Sequence, residues 1–550
     1  MKKLSIAPRP PINQGVDTNN QMVQQHTSIY NSMISQIGPV GATFYLNPYG
    51  TAPLSGVLAV FLTNLEQVRV QISDNINSIP VEYYFTPQFS GPTLIPIIGF
   101  APAATNTLNV TGTGMLPYTN DSIATVSLPL TDADLQGRQY GFPEIEGTIN
   151  KNPPSEISEL YFTAYSLRYN VGTDCTGRVR WYTTKDMLTF NIQRLVSGNF
   201  VATLGEKVIQ EFDLVGRMHK VYILDNFSHH NIFQLPDGSL MFPSENDGVS
   251  KEDGISIIDI DTGLETSYYD IRQVLDMNRM PRIPDDSQVP LDWLHINQSV
   301  LDETNNLIVS SARHQSVIFG IDFTTSELVF IAANQQDWAD DYKPYFLTPV
   351  DENGTPLYDL TDPDDIDKAD KEFWTWGQHA VVIQNSSNSV IDYYLLDNGN
   401  FRSRDYTKAL IPNDNYSRLA AFRVNIALKT IMKLYEYGKV EVGNRGYSSF
   451  VSNAQLLSNG NFFIHFGGGI TDDTGRRRSV NPLTGSDIPD PALNDTAQAY
   501  ILQQEVDITT GEVFVEQVAR SGSYKNPTDE GPSFASDMWS FRAYKLPIMH

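Results

Sequence analysis

Residues 234–242, "QLPDGSLMF", hold a strand, a Pro-Asp-Gly turn and a second strand. Asp-Gly supplies the unusual backbone angles of a tight hairpin, and apolar residues flank it on both sides. The same device recurs as "RLVSGNFVA" (194–202), "VLDETNNLIV" (300–309) and "LLSNGNFFI" (456–464). Three of the four are followed by a second matching hairpin: "IIDIDTGLE" (257–265), "GIDFTTSEL" (320–328) and "EVDITTGEV" (505–513). Four strands with turns at two fixed places form a propeller blade. Insertions at 334–373 and 467–498 make the period uneven. One blade around 380–400 and another around 417–440 bring the number to six, with strands from both ends of the propeller closing the last.

Upstream, alternating runs such as "GVLAVFLTNL", "QVRVQIS" and "VEYYFTP" predict a small antiparallel β-sandwich over 41–145. Residues 1–40 are polar and weakly patterned, and read as an arm that wraps or pairs with a partner. The expected fold class is therefore all-β: a six-bladed β-propeller at 155–550, preceded by a small N-terminal β-sandwich domain and the arm.

The formal charge of −26 repels phosphate backbones, which argues against nucleic acid and anionic membrane as partners. An anionic substrate would need a local cationic exception. The single cysteine, Cys175, rules out an intramolecular disulfide and makes a cysteine-based metal site a poor expectation. "MKKLSIAPRPPINQGVDTNN" has no apolar run behind its lysines, and no segment reaches the length of a membrane helix. The expectation is a cytoplasmic protein if Met1 is the native start; a removed signal peptide would leave the same sequence.

In a blade the first strand lines the central channel. Three repeats begin that strand with histidine: "SHHNIFQLPDG", "DWLHINQSVLDETNN" and "WGQHAVVIQNSSN". His229 and His295 each lie six residues before Leu235 and Leu301. His230 and His379 stand one step further on, and His229-x-Asn231 is echoed by His295-x-Asn297. One histidine at the head of an apolar strand is ordinarily a core residue bonded to a carbonyl. Three at the same repeat position converge around the propeller axis. "SSARHQS" (310–316) adds Arg313 and His314 in the strand after that of His295, and the arginine is the expected anion clamp.

With "WTWGQH" (374–379), "HIN" (295–297), "SSARHQS" and "HHN" (229–231), the whole chain resembles the bacterial arylsulfate sulfotransferases, which use no activated nucleotide sulfate. The resemblance implies a six-bladed propeller, a homodimer, and ping-pong transfer of a sulfuryl group from an aryl sulfate donor to a phenolic acceptor. It implies no cofactor and a periplasmic or secreted location. By position His379 matches the histidine that becomes sulfated. His295, Asn297 and Arg313 match residues around the transferred group, and the pair His229/His230 supplies a further site histidine. Ser452 stands where the family has a threonine. Characterised periplasmic members carry a disulfide in the loop before the nucleophile; residues 348–373 contain no cysteine.

The chemistry suits these residues. An aryl sulfate is a monoanion whose transition state, by analogy with phosphoryl transfer, is loose. Arginine, imidazole and amide donors can carry it without a metal. Neutral imidazole is a competent nucleophile near pH 7, and a second histidine can protonate the leaving phenol. Trp374 and Trp376 are candidates to receive the aromatic ring, although propeller core is their commoner use. The rival enzyme reading is a metal-dependent propeller oxygenase with iron held by His230, His295, His379 and His465. Metal-bound histidines usually want carboxylate partners, and Arg313 fits poorly beside a cation. The non-enzymatic rival is a propeller used as a binding scaffold. "DPDDIDKAD" reads as a solvated insert, "GRRRS" (475–479) as a surface turn, and "HFGGGITDDTG" lacks the lysine and context of a phosphate loop.

Overall fold

In the computed structural model the described residues are 15–549, apart from 77–78, 130, 134–138, 166–168, 185–190, 204–206, 246–250, 281–291, 406–407, 411–413, 472–497 and 521–539. "GRRRS" lies outside them. The turns form as their residues dictate. Gly238 (φ 92°), Gly198 (φ 90°) and Gly460 (φ 87°) occupy the left-handed position of the first hairpins. In the second hairpins an aspartate caps the turn each time. Asp259 Oδ1 accepts from the Thr262 N–H (2.7 Å), Asp322 Oδ1 from Thr324 and Thr325 (2.9 and 2.6 Å), and Asp507 Oδ1 from Thr509 (2.8 Å).

Six antiparallel sheets follow one another as blades. The first pairs Glu159–Tyr165, Tyr169–Thr173 and Val179–Tyr182 with Ser540–Pro547, which becomes its innermost strand. The second runs from Asn191–Arg194 to Met218–Ile223, the third from Phe227–Ser228 to Glu265–Asp270, and the fourth from Ile296–Asp302 to Leu328–Ala332. The fifth runs from His379–Ser387 to Thr430–Tyr437, and the sixth from Asn453–Leu456 to Glu512–Arg520. Each blade packs on the next, and the sixth packs on the first, so the ring closes. The segments 380–400 and 417–440, read from sequence as two blades, are the two halves of the fifth. The number six survives because the first blade, formed by both ends of the propeller, takes the vacated place.

Apolar contacts explain the ring. Neighbouring residues on a strand point to opposite faces, and each face meets a different blade. Ile308 and Phe319 pack with Met241 and Ile255 of the third blade, while Val309 and Ile318 pack with Val381 and Ile391 of the fifth. Tyr393 and Tyr394 likewise divide between the fourth-blade and sixth-blade sides. Both faces are buried, so these strands read as continuous apolar runs.

Upstream, the sheets of Ala42–Leu46, Ser55–Leu62 and Gly91–Ile98, and of Val68–Asp74, Val81–Phe85, Thr105–Thr111 and Tyr118–Ala124, form the small sandwich. Leu58, Ile95, Val70 and Leu108 share one core with Phe162 and Trp181 of the first blade. The arm pairs with its own chain: Gly15–Val16 lies along Ile223–Tyr222, followed by a helix, Gln21–Ser35. Asn20 caps that helix, accepting from Met22 and Val23, and it buries His26 and Met33. The acidic insert is also helical, over Pro363–Glu372, with Asp362 as its cap. Among the described residues no helix is long and apolar enough to cross a membrane.

Candidate active site

The heads of three inner strands meet at one end of the channel. The ring centroid of His230 lies 4.9 Å from that of His295 and 6.0 Å from that of His379. Local backbone strain aims these groups inward. His230 (φ 56°), His295 (φ 57°), Ala380 (φ 61°) and Ser452 (φ 85°) all take left-handed conformations that non-glycine residues rarely adopt. The ladder also slips between Ile296 and Gln298 and between His379 and Val382, re-aiming the side chains there.

His379 is buried, and its Nδ1 donates to Asn398 Oδ1 (2.7 Å) and the Gly377 carbonyl (3.0 Å). The Asn398 amide is itself fixed, since Nδ2 donates to the carbonyls of Ser448 (2.7 Å) and Val451 (3.0 Å). The proton is therefore on Nδ1 and the lone pair on Nε2. Burial, then the charges of Arg542 and Arg313, hold His379 well below the usual imidazole range, so it is neutral.

His295 is the opposite case. Its Nδ1 lies 2.6 Å from Glu252 Oε2 and 2.7 Å from Asp292 Oδ2. Burial alone would lower its pKa, but the two carboxylates outweigh it and push it up to about 10. At neutral pH it is an imidazolium whose Nδ1 is committed to carboxylates. His314 donates from Nδ1 to the Asp292 carbonyl (2.8 Å), and its Nε2 faces Arg313 Nη1 at 3.1 Å. Burial, with His295 and Arg313 nearby, lowers it to about 4.

Of the pair, His230 is the one that meets the ring, while His229 stands behind it with Nδ1 2.8 Å from His230 Nδ1. Burial lowers both. A cavity of about 260 Å³ opens beside them, lined by Phe227, Glu245, Lys251, Glu252 and Phe541 as well as the two histidines. Asn297 donates one N–H to the Gln378 carbonyl (2.7 Å), and its Oδ1 is buried without a partner. Asn231 accepts from Asn191 (3.4 Å), so the repeated His-x-Asn pair links adjoining blades. Arg313 and His314 sit in the turn after Leu307–Ala312 rather than within a strand.

The remaining sequence candidates lie apart. Trp374 and Trp376 are core residues between the fourth and fifth blades, and Trp376 Nε1 donates to the Asp370 carbonyl (2.7 Å). The aromatic rings beside the cavity are Phe227 and Phe541. The Ser452 hydroxyl is occupied, accepting from the Gly467 N–H (2.8 Å) and paired with Ser448 Oγ (2.8 Å). His465 faces the Ser540 carbonyl (3.1 Å) and Gln503 Nε2 (3.2 Å), which removes it from the four-histidine iron arrangement. Two other groups bring ligand atoms within 4.8 Å of one another: His229, His230 and Glu252, and Asp292, His295 and His314. In both, a carboxylate is already engaged with His295. Sequence reasoning missed Glu252, Asp292, Asn398 and Arg542, none of which stands at a repeated position.

One buried network sets the approach to His379. Asp397 accepts from Arg402 (2.8 Å), Arg418 (2.9 Å) and the Trp376 N–H (2.8 Å). Asp397→Ala leaves two buried guanidinium groups without their shared carboxylate. It is expected to destabilise the fold by about 3–5 kcal/mol, read from the urea unfolding midpoint.

The family model described as Arylsulfotransferase (ASST) matches residues 146–527, and that described as Arylsulfotransferase Ig-like domain matches residues 43–121. Two curated relatives carry the name arylsulfate sulfotransferase AssT. The protein from Escherichia coli O6:H1 is 23% identical over 353 residues, covering 54% of this chain and 57% of the relative. That from Lelliottia amnigena is 22% identical over 530 residues, covering 79% and 86%. The chain thus matches little more than half the length of the first. The solved β-propeller domain of Myceliophthora thermophila Cps50 (Swd1) aligns at 10% identity over 69% of this chain and 100% of that one. The TM-score is 0.26.

Proposed function

The chain belongs to the arylsulfotransferase family, and on that premise we propose that it moves a sulfuryl group from an aryl sulfate to a phenol through His379. The observation that carries this is the fixed tautomer of His379: Asn398 and the Gly377 carbonyl take the Nδ1 proton and leave the Nε2 lone pair for the substrate. In the first half-reaction Nε2 attacks sulfur, the S–O bond to the aryl group breaks, and the phenolate leaves. His295, already an imidazolium, gives its free Nε2 proton to that oxygen. In the second, neutral His295 takes the proton of the acceptor phenol, whose oxygen attacks sulfur as the N–S bond breaks.

The matching of acid and substrate supports this assignment. A phenol ionises near pH 10, and Glu252 with Asp292 lifts His295 to about 10. Proton exchange between them is close to thermoneutral in both directions, which suits a group that must act as acid and then as base. Arg313 meets the sulfuryl oxygens, and Phe227 and Phe541 flank the aryl group. The homodimer belongs to the same reading, and sedimentation of the purified protein measures it.

The test is a chromogenic aryl sulfate supplied with and without a phenol. Phenol release should rise with acceptor concentration, and sulfated acceptor should match the donor consumed. Release independent of acceptor, with free sulfate as the sole product, overturns the transfer reading. A strong chelator should leave the rate unchanged; loss restored by one divalent ion would favour the metal-bound alternative.

A further inference from the structure

Arg542 lies on Ser540–Pro547, the strand that closes the ring. It is 1% exposed. Nη1 donates to the carbonyls of Ser452 (2.6 Å) and Phe541 (3.1 Å), and Nη2 to the Asn297 carbonyl (3.2 Å) and Gln298 Oε1 (3.4 Å). From the first blade the guanidinium therefore reaches the inner strands of the sixth and the fourth. Its Nε has no hydrogen-bond partner, and no carboxylate pairs with it among the described residues.

Three other buried arginines are paired with carboxylates. Arg180 pairs with Asp74 and Asp174, and Arg402 and Arg418 share Asp397. Arg279 has no paired carboxylate either among the described residues: it donates to the carbonyls of Gln315 and Gln336, lies over the Trp338 ring and is held well below its usual range by burial. What sets Arg542 apart is its effect on His379. A buried cation without a counter-charge costs several kcal/mol, and carbonyl dipoles return only part of that. A fold that keeps one beside a reacting group has a reason to expect an anion there. Neighbouring charges agree, for after burial Arg542 has the largest effect on His379, ahead of Arg313. Glu252 and Asp292 are both engaged with His295 and so cannot neutralise Arg542.

We infer that Arg542 is a second cationic contact for the transferred sulfuryl group, meeting its oxygens from the closing strand while Arg313 meets them from the fourth blade. The inference rests on the sulfuryl-transfer reading and extends it. Since Nη1 and Nη2 are held by carbonyls, the guanidinium is fixed before substrate arrives, as preorganised charge stabilisation requires.

The experiment compares wild type, Arg542→Gln and Arg542→Lys, first by calorimetric titration with inorganic sulfate, which needs no turnover. The Gln variant should bind sulfate about 10- to 100-fold more weakly, the loss of one charge-assisted contact, with the Lys variant between it and wild type. The acid limb of kcat/KM for an aryl sulfate is the second readout. The groups facing His379 are Arg542, Arg313, His295, His230 and the Asn398 amide. Removing the charge of Arg542 should move that limb to higher pH in Gln and leave it in place in Lys; a purely structural role would not shift it.

A folded Gln variant with unchanged sulfate affinity and an unchanged limb overturns the inference. Should the Gln variant not fold, wild type decides: sulfate must raise its Tm above chloride of equal ionic strength, and no difference overturns the inference. Sulfate binding that depends on Arg542, in a wild type that turns over no aryl sulfate, keeps the oxyanion contact and removes the transfer reading instead.

Discussion

His379→Asn is expected to lower sulfuryl transfer by a factor on the order of 10⁴ or more, the usual consequence of deleting a nucleophile while its surroundings stay in place. Asparagine keeps a polar side chain at the head of the fifth inner strand, where residue 379 pairs with Leu396, so the fold should persist by circular dichroism and Tm. What disappears is the Nε2 lone pair. The direct measurement is mass. After brief exposure to donor alone, denatured wild type should carry one SO3 on the peptide containing "WTWGQHAVVIQ", and phenol supplied before quenching should remove it. The Asn variant should show none. An adduct on His229, His230 or His295 would reassign the nucleophile. Transfer at the normal rate with no histidine adduct would mean direct displacement between the two phenols.

Replacing His295 by glutamine should slow turnover by about 10²–10⁴-fold, the range of a lost general acid. The loss should shrink for donors whose phenol is acidic, because their phenolate leaves without help. Glu252→Gln removes one of the two carboxylates at His295 Nδ1, so the alkaline limb of the first half-reaction should fall to lower pH while the nucleophile stays intact. Stability carries the same signature. The folded pKa of His295 lies near 10, above its ordinary 6.5. Its contribution is therefore complete below about 6.5 and is lost as pH rises through about 10. His229, His230, His314, His379 and His465 are all lowered, chiefly by burial. They oppose unfolding above 6.5 and favour it as pH falls below that value, since the unfolded chain then binds protons that the native one refuses. Tm should decline on the acid side first, and His295→Gln should flatten only the alkaline decline.

Turn chemistry is local, which is why the hairpins at Asp237-Gly238 and Asn459-Gly460, and the aspartate-capped turns at Asp259, Asp322 and Asp507, were legible from residues alone. The fifth blade was divided because Val390–Asp397 and Arg418–Asn425 are apolar on both faces, so alternation could not show that they pair. The first blade was obscured because its inner strand lies far away in sequence. At the site the histidines were legible through repetition. Glu252 and Asp292 were not, being two among 64 acidic residues with no spacing to mark them. Asn398 stands in an Asp-Asn-Gly sequence, whose residue types signal only a turn, and the folded chain alone shows its amide held between two carbonyls and His379. Arg542, in "FRAYKLP", precedes no hairpin, and its meaning comes entirely from the blades it reaches.

Ring closure by Ser540–Pro547 imposes a timetable. Thr163 pairs with Ala543, a partner synthesised roughly 380 residues later. At ordinary elongation rates of about 5–20 residues per second, the edge at Glu159–Tyr165 stays open for tens of seconds, a template for stray strand pairing. The same strand delivers Arg542. A nascent chain that has already folded His230, His295 and His379 still lacks that cation, so on the proposed reading its site gains the second oxyanion contact only when the ring is sealed.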